Sequence, residues 1–293
     1  MAMREHIRHP LEWGADQLKT ANMAVERASH SLRSPAEVGQ PAVRKIEIAD
    51  LMDVLAGGLR DFGAYRTDVI FLCIIYPLAG LLLVSVAFGY DMLPLLFPLA
   101  SGFALIGPVA AVGLYEMSRR REQGVDITWA DAFGVVRAPA FGAILVLGLI
   151  LLAIFLLWLA AAYAIWLITL GPVPPASIGA FVHEVLTTSA GWTMTVVGVG
   201  VGFLFALVVL SISVVSFPLL LDRDVGLYAA VATSVRTVLT NPGPMAVWGL
   251  IVAGGLVLGS LPVLLGLIIV MPVLGHATWH LYRKVVPRLP PLG

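Results

Sequence analysis

The sequence predicts an all-α integral membrane protein of six transmembrane helices, arranged as three hairpins, each preceded by a cytoplasmic amphipathic helix. Three observations carry that prediction. Only 12% of the 293 residues are charged while 59% are hydrophobic, and the mean hydropathy is +0.93; soluble domains are about a quarter charged. Stretches free of Asp, Glu, Lys and Arg recur at 69–90, 92–115, 138–183, 185–221 and 237–282. The charge that remains is gathered early: residues 1–67 hold nine of the eighteen Lys and Arg and nine of the eighteen Asp and Glu.

The elements follow in order. Residues 1–45 form a polar cytoplasmic tail with His6, His9 and His30 and a modest apolar stripe from Leu18 to Leu32. Such a composition predicts a flexible or partner-docked segment. The opening Met1–Pro10 lacks the apolar core of a signal peptide, which places the N-terminus in the cytoplasm. In 46–67, Ile48, Leu51, Leu55, Leu59 and Phe62 step by three or four behind Asp50 as N-cap, with Asp53 three residues on, predicting an interfacial amphipathic helix. Because about 20 apolar residues cross a hydrocarbon core of about 30 Å, 68–90 and 92–117 are the first two spans, joined at Gly89–Met92. Thr128–Asp131 has capping-box spacing and opens a second amphipathic segment that ends at Arg137–Pro139. Spans 138–170 and 189–221 flank the loop Gly171–Pro175. Leu227, Val231, Val235 and Val238 then share a face of a third amphipathic helix, stopped by Asn241-Pro242. Ala56–Arg60 and Ala232–Arg236 align by residue type, but the middle unit lacks the arginine, so an internal repeat stays open.

The last apolar run, Met245 to Tyr282, is too long for one helix at 1.5 Å per residue unless it projects far into water. A turn near Gly259–Pro262 puts every Lys and Arg on the side of the N-terminus, whereas a single helix would carry Arg283, Lys284 and Arg288 across, against the positive-inside tendency. The charge therefore favours a hairpin of 244–260 and 262–282. This completes a six-span domain over 68–286 with a short tail, 287–293, and both termini in the cytoplasm.

Several function classes are excluded or disfavoured. A net charge of zero gives no basic field for nucleic acid. A single cysteine, Cys73, cannot form an internal disulfide, and no Cys/His spacing matches a zinc module. There is no Walker loop, dinucleotide fingerprint, HExxH or nucleophile elbow, and Gly198–Gly202 is too short and apolar for a phosphate loop; a non-catalytic protein is expected. No Asp, Glu, Lys or Arg lies inside a predicted span, which argues against a proton pump, although hydroxyls and carbonyls can line a pore.

Four groups of residues are candidates for function. His276 and His280, four apart on one helix face, suit a haem or metal with a third ligand such as Glu116, Asp222 or Asp224 at the same level. The plainer reading is an interfacial belt with Trp279, Tyr282 and Lys284, and no cofactor is predicted. Arg119, Arg120 and Arg121, with Arg283 and Lys284, read either as contacts to anionic headgroups or an acidic partner, or as a topological stop. Glu116 can pair with one of the arginines or with Arg223. His183-Glu184 falls in the loop after the third span, where nothing nearby completes a site. Gly198, Gly202, Gly255 and Gly259, with Gly191, Gly200 and Gly254, give the small-residue spacings of close helix packing or of a partner face.

Gly113–Arg121, Ser216–Asp224, Asn241-Pro242 and Val273–Lys284 together resemble an uncharacterised family of proteobacterial integral membrane proteins, the domain-of-unknown-function family twenty-one eighty-nine. The resemblance runs from about Lys45 to Val286. It implies a bacterial inner-membrane location and a six-span body, and brings no activity and no catalytic residues. The leading functional expectation is an accessory or assembly subunit of a larger membrane complex, such as a respiratory one, in contact with lipids and other subunits. The second is a channel or carrier for a small neutral solute, drawing on Ser85, Ser101, Thr193, Ser211, Ser213 and Ser216. Hydroxyls facing one continuous cavity favour it; hydroxyls bonded one turn back do not. The third is a haem- or metal-handling protein centred on His276 and His280.

Overall fold

The computed structural model of the chain describes residues 41–64, 69–70, 73–89, 92–125, 132, 134–136 and 138–288. Regular structure among them is helical throughout: α1 (Asp50–Ala64), α2 (Ile75–Gly89), a short 3-10 turn (Leu93–Leu95), α3 (Leu96–Ala110), α4 (Val112–Glu122), α5 (Phe141–Thr169), α6 (Ile178–Thr187), α7 (Ser189–Ser213), α8 (Ser216–Asp222), α9 (Gly226–Thr240), α10 (Pro242–Ser260) and α11 (Leu267–Val285). Four segments are long and apolar enough to cross a membrane: Leu93–Glu122, Phe141–Thr169, Ser189–Asp222 and Pro242–Ser260. The tail 1–40, the capping box Thr128–Asp131 and Arg137 lie outside the described residues, as does most of the expected turn before Met92.

Two of the long segments are broken for local reasons. Pro108 lies in the last turn of α3 and cannot donate a ladder hydrogen bond, and the chain turns at Ala111 before resuming as α4. Between α7 and α8, Ser213 and Ser216 bond back to the Val209 and Ile212 carbonyls, a competition that bends helices. Neighbouring helices are then held by apolar contact. Trp158 of α5 fills the notch at Gly202 of α7 and donates its indole N–H to Ser101 of α3 at 2.8 Å, while Phe155 covers Gly102. Tyr76 of α2 donates to the Ala110 carbonyl at 3.0 Å, setting the start of α2 beside the end of α3.

The last run divides into two helices, with a turn at 261–266 and α11 starting at Leu267 rather than 262. Val263 and Leu264 take left-handed φ values of 52° and 65°, an uncommon conformation for branched residues. Gly259 lies against Leu267 and Val270, and Gly255 against Val270 and Leu274, so the two arms approach closely along their glycine face. The lower half of α11 differs from an ordinary span: His276, Ala277, Trp279, Leu281, Tyr282 and Val285 are all buried, packed into the charged end of the molecule rather than turned outward.

Three amphipathic or loop expectations are corrected. In α1 the buried face is Leu51, Val54, Gly57, Gly58, Asp61 and Phe62, while Ile48 and Leu59 are exposed and Leu55 only half-buried. The helix is rotated because its two glycines let α11 approach: a Cβ on Gly58 would sit 2.6 Å from the Val273 carbonyl oxygen, and one on Gly57 2.7 Å from the His280 ring. Asp50 is also not the N-cap; its carboxylate reaches back to the Glu47 N–H at 2.9 Å, as a residue in the first turn does in a capping box. In α9 the stripe turned inward is the small one, Ala229, Ala230, Thr233, Ser234 and Thr237, which allows contact with α7 and α8; Leu227, Val231, Val235 and Val238 remain half-buried. The loop after α5 contains α6, capped by Ser177 accepting from the Ala180 N–H at 3.1 Å, so His183 and Glu184 sit on a helix.

Gly58→Ala is expected to lower stability by about 1–3 kcal/mol, because the methyl group meets backbone that cannot give way. Gly63→Ala, with no atom within 4 Å of the new methyl, is expected to be neutral or slightly stabilising. Thermal unfolding of the two variants in the same detergent checks the contrast.

Candidate functional site

The histidine and charged candidates of α4 and α11 converge at one end of the bundle, where α1, α4, α8 and the lower half of α11 meet. The sequence places them there through helix ends: α4 closes a long apolar segment with Arg119, Arg120 and Arg121 in its last turn, and α11 closes with Arg283 and Lys284. Cations at helix C-termini are favoured by the helix dipole.

Asp61 of α1 is the centre of this layer and is 6% exposed. It accepts from Ser118 Oγ at 2.6 Å, from Arg121 Nη1 at 2.9 Å and from His280 Nε2 at 3.0 Å. Burial alone would push its carboxyl up, but the hydrogen bonds from His280 and Ser118, with the nearby histidines, hold it below the usual value. Ser118 also lies 2.8 Å from His276 Nδ1. Its single proton is directed to the carboxylate, so Nδ1–H of His276 donates to Ser118 Oγ. The buried Nε2 of His276 has no hydrogen-bond partner among the described residues.

The remaining charges form three further groups. Glu116, also buried, takes both forks of Arg119 at 2.7 and 2.8 Å and Nε of Arg120 at 2.8 Å. Arg283 is bidentate on Asp222 at 2.8 Å for both contacts, donates to Glu122 at 2.9 Å, and lies over the Trp279 and Tyr282 rings at 4.8 and 5.3 Å. Tyr282 donates to Asp222 at 2.5 Å, Trp279 to Glu122 at 3.0 Å, and Arg288 pairs with Glu122. Lys284 joins Asp50 and Asp53 at 3.0 and 2.9 Å, which raises its amine and lowers the Asp50 carboxyl, the latter helped first by the Glu47 N–H.

The expected residues are therefore brought together in space but divided in chemistry. His276, His280 and Glu116 each serve a different partner, and no group of three metal-ligating side chains occurs among the described residues. Arg119, Arg120 and Arg121 face carboxylates of their own protein. Of the four glycines, Gly202 lies against Trp158, and Gly255 and Gly259 against side chains of α11, while the position a Cβ would take on Gly198 has no atom within 4 Å. Sequence reasoning missed Asp61, Ser118 and Glu122. Asp61 had one available signal: it falls at helical spacing from Val54, Gly57 and Gly58, an acid on a stripe too small and apolar to be a solvated face.

Because the folded Asp61 carboxyl is depressed, its stabilisation is present above the ordinary carboxylate value of about 4 and is lost as pH falls through the lower folded value. Asp61→Asn is expected to cost about 2 kcal/mol at neutral pH. The gap from wild type should be constant above pH 5 and close as the pH falls below about 4, read by thermal unfolding across that range.

A family model matches the middle of the chain, while no curated protein and no solved structure matches it. The match takes in Gly113–Arg121 and the first seven residues of the Ser216–Asp224 motif, and stops short of Asn241-Pro242 and Val273–Lys284. Residues 96–222 match the family described as predicted integral membrane protein (DUF2189), the one that the sequence motifs resemble.

Proposed function

We propose that the protein works by association within the membrane, as a non-catalytic accessory or assembly subunit of a larger complex. On this reading it crosses a bacterial inner membrane six times, with α2 and α11 completing the set, and carries its charged end in the cytoplasm. The concentration of Arg and Lys at that end supports the orientation.

The observation that carries the association reading is the outward face of α7. No residue from Trp192 to Val208 is buried, and Val196, Val197, Phe203 and Leu204 are exposed around Gly200, where a Cβ would meet nothing within 4 Å. A notch of this kind, ringed by bulky apolar side chains, suits a second transmembrane helix. The hydroxyls speak against a solute pathway. Ser85, Thr193, Ser211, Ser213 and Ser216 each donate to the carbonyl four residues back, and Ser101 to the one three back. All but Ser216 thus use their donors within their own helices, and Ser216 reaches across the α7–α8 break and lies 3.2 Å from the Ala230 carbonyl.

Gly200→Leu tests the reading. Native electrophoresis of protein extracted gently from its own membrane, with mass spectrometry of the co-migrating subunits, should show wild type in a defined complex and the variant released from it. The thermal midpoint of the purified variant should be unchanged or raised, since leucine is the better helix former by about 1 kcal/mol. Wild type migrating alone, or a variant that stays in the complex, would remove this reading.

A further inference from the structure

The groove between α1 and the end of α11 is lined by a set of cations that the internal ion pairs do not exhaust. It encloses about 500 Å³, and Arg44, Arg60, His280, Arg283, Lys284 and Arg288 face it with one carboxylate, Asp53, and with Val54 as an apolar floor. Four of the six basic groups are turned toward carboxylates: His280 to Asp61, Arg283 to Asp222 and Glu122, Arg288 to Glu122, and Lys284 to Asp50 and Asp53. Arg44 and Arg60 differ. Their guanidinium groups make no hydrogen bond or ion pair with any described residue, while their main chains are fixed: the Arg44 N–H donates to the Val285 carbonyl at 2.8 Å, its carbonyl accepts from Asn241 Nδ2 at 3.0 Å, and the Arg60 carbonyl accepts from Arg121 at 2.8 Å.

We propose that this groove is a binding site for a phosphate-bearing anion, held by the guanidinium groups of Arg44 and Arg60 with Lys284 and Arg288 at its rim. The chemistry follows from what is left over. A guanidinium with no partner among the described residues offers paired N–H donors to a tetrahedral anion without first breaking an ion pair. The carboxylates of Asp61, Asp222 and Glu122 already engage the lining His280, Arg283 and Arg288, which leaves Arg44 and Arg60 as the cations an anion meets first. Asp53 is the one lining carboxylate that opposes an incoming anion, and Lys284 already compensates it. The site lies where the long apolar segments end, the level a phospholipid headgroup occupies; a free phosphate compound presents the same chemistry from solution. The site goes beyond the association reading and stands without it.

The test uses the full-length protein in nanodiscs, with the thermal midpoint as readout at constant ionic strength. In phosphatidylcholine alone, inorganic phosphate is titrated against chloride; in a second series, phosphatidylglycerol replaces part of the phosphatidylcholine. A rise with inorganic phosphate in the neutral bilayer assigns a soluble source, and a rise only with phosphatidylglycerol assigns a headgroup. In either case the Arg44→Gln/Arg60→Gln double variant should need about tenfold more of the effective ligand. Asp53→Asn should need several-fold less, since it removes the opposing charge while Lys284 keeps Asp50. The two arginine side chains make no hydrogen bond or ion pair with any described residue, so the double variant is expected to fold as wild type does. No rise in either series, or a double variant that responds as wild type, overturns the proposal.

Discussion

The docking of α1 against the lower half of α11 is the contact on which the charged end depends. Two adjacent glycines make it possible, each at a cost of about 1 kcal/mol relative to alanine in a helix. With the backbones this close, the Asp61 carboxylate falls between His280 and Ser118 rather than in solvent. A buried carboxylate is tolerable only when its lone pairs are taken, and Asp61 is satisfied from three directions by α4 and α11. Shape and charge are therefore one constraint. Without the glycine approach the acid would lose its partners, and without the acid Ser118, His280 and Arg121 would lose the carboxylate they share.

The rest of the layer repeats this logic. Arg119, Arg120, Arg121 and Arg283 are the residues that a topology rule would treat as a charge barrier at the membrane surface, yet each is engaged by a carboxylate of another turn or helix. Arg283 also covers two aromatic rings, so its removal would cost packing as well as charge. Such a layer ties the ends of the apolar helices together where lipid offers no driving force for their association. Above it, contact is sparse and mostly apolar, as along α7, and that contrast leaves a rigid charged end and an open membrane face on the same molecule.

Much of the architecture was legible because a bilayer imposes a one-dimensional rule. Runs without charge and their length identified the apolar helices over 93–122, 141–169, 189–222 and 242–260. The faces of α1 and α9 were misread for a common reason: hydrophobic periodicity assumes that the most apolar stripe is the one buried. Where helices meet through glycine, alanine and hydroxyl residues, the small stripe goes inward and the bulky stripe is left at the edge. The match over 96–222 covers the middle of the chain and leaves out α1 and α11, the two helices whose meeting makes the site.

The sequence by itself determined that this is a helical membrane protein, where its apolar segments lie, and that its charge is confined, because the free energy of placing a residue in hydrocarbon depends chiefly on that residue and its near neighbours. Only the tertiary structure decided which charge meets which. Asp61 and His280 are separated by 219 positions, Lys284 and Asp50 by 234, and nothing in local spacing relates them. Those pairs are set by how closely two backbones approach and by the rotation of each helix about its axis, which depend on the whole packed assembly. The same geometry left Arg44 and Arg60 without partners among the described residues, beside a groove whose other cations are paired.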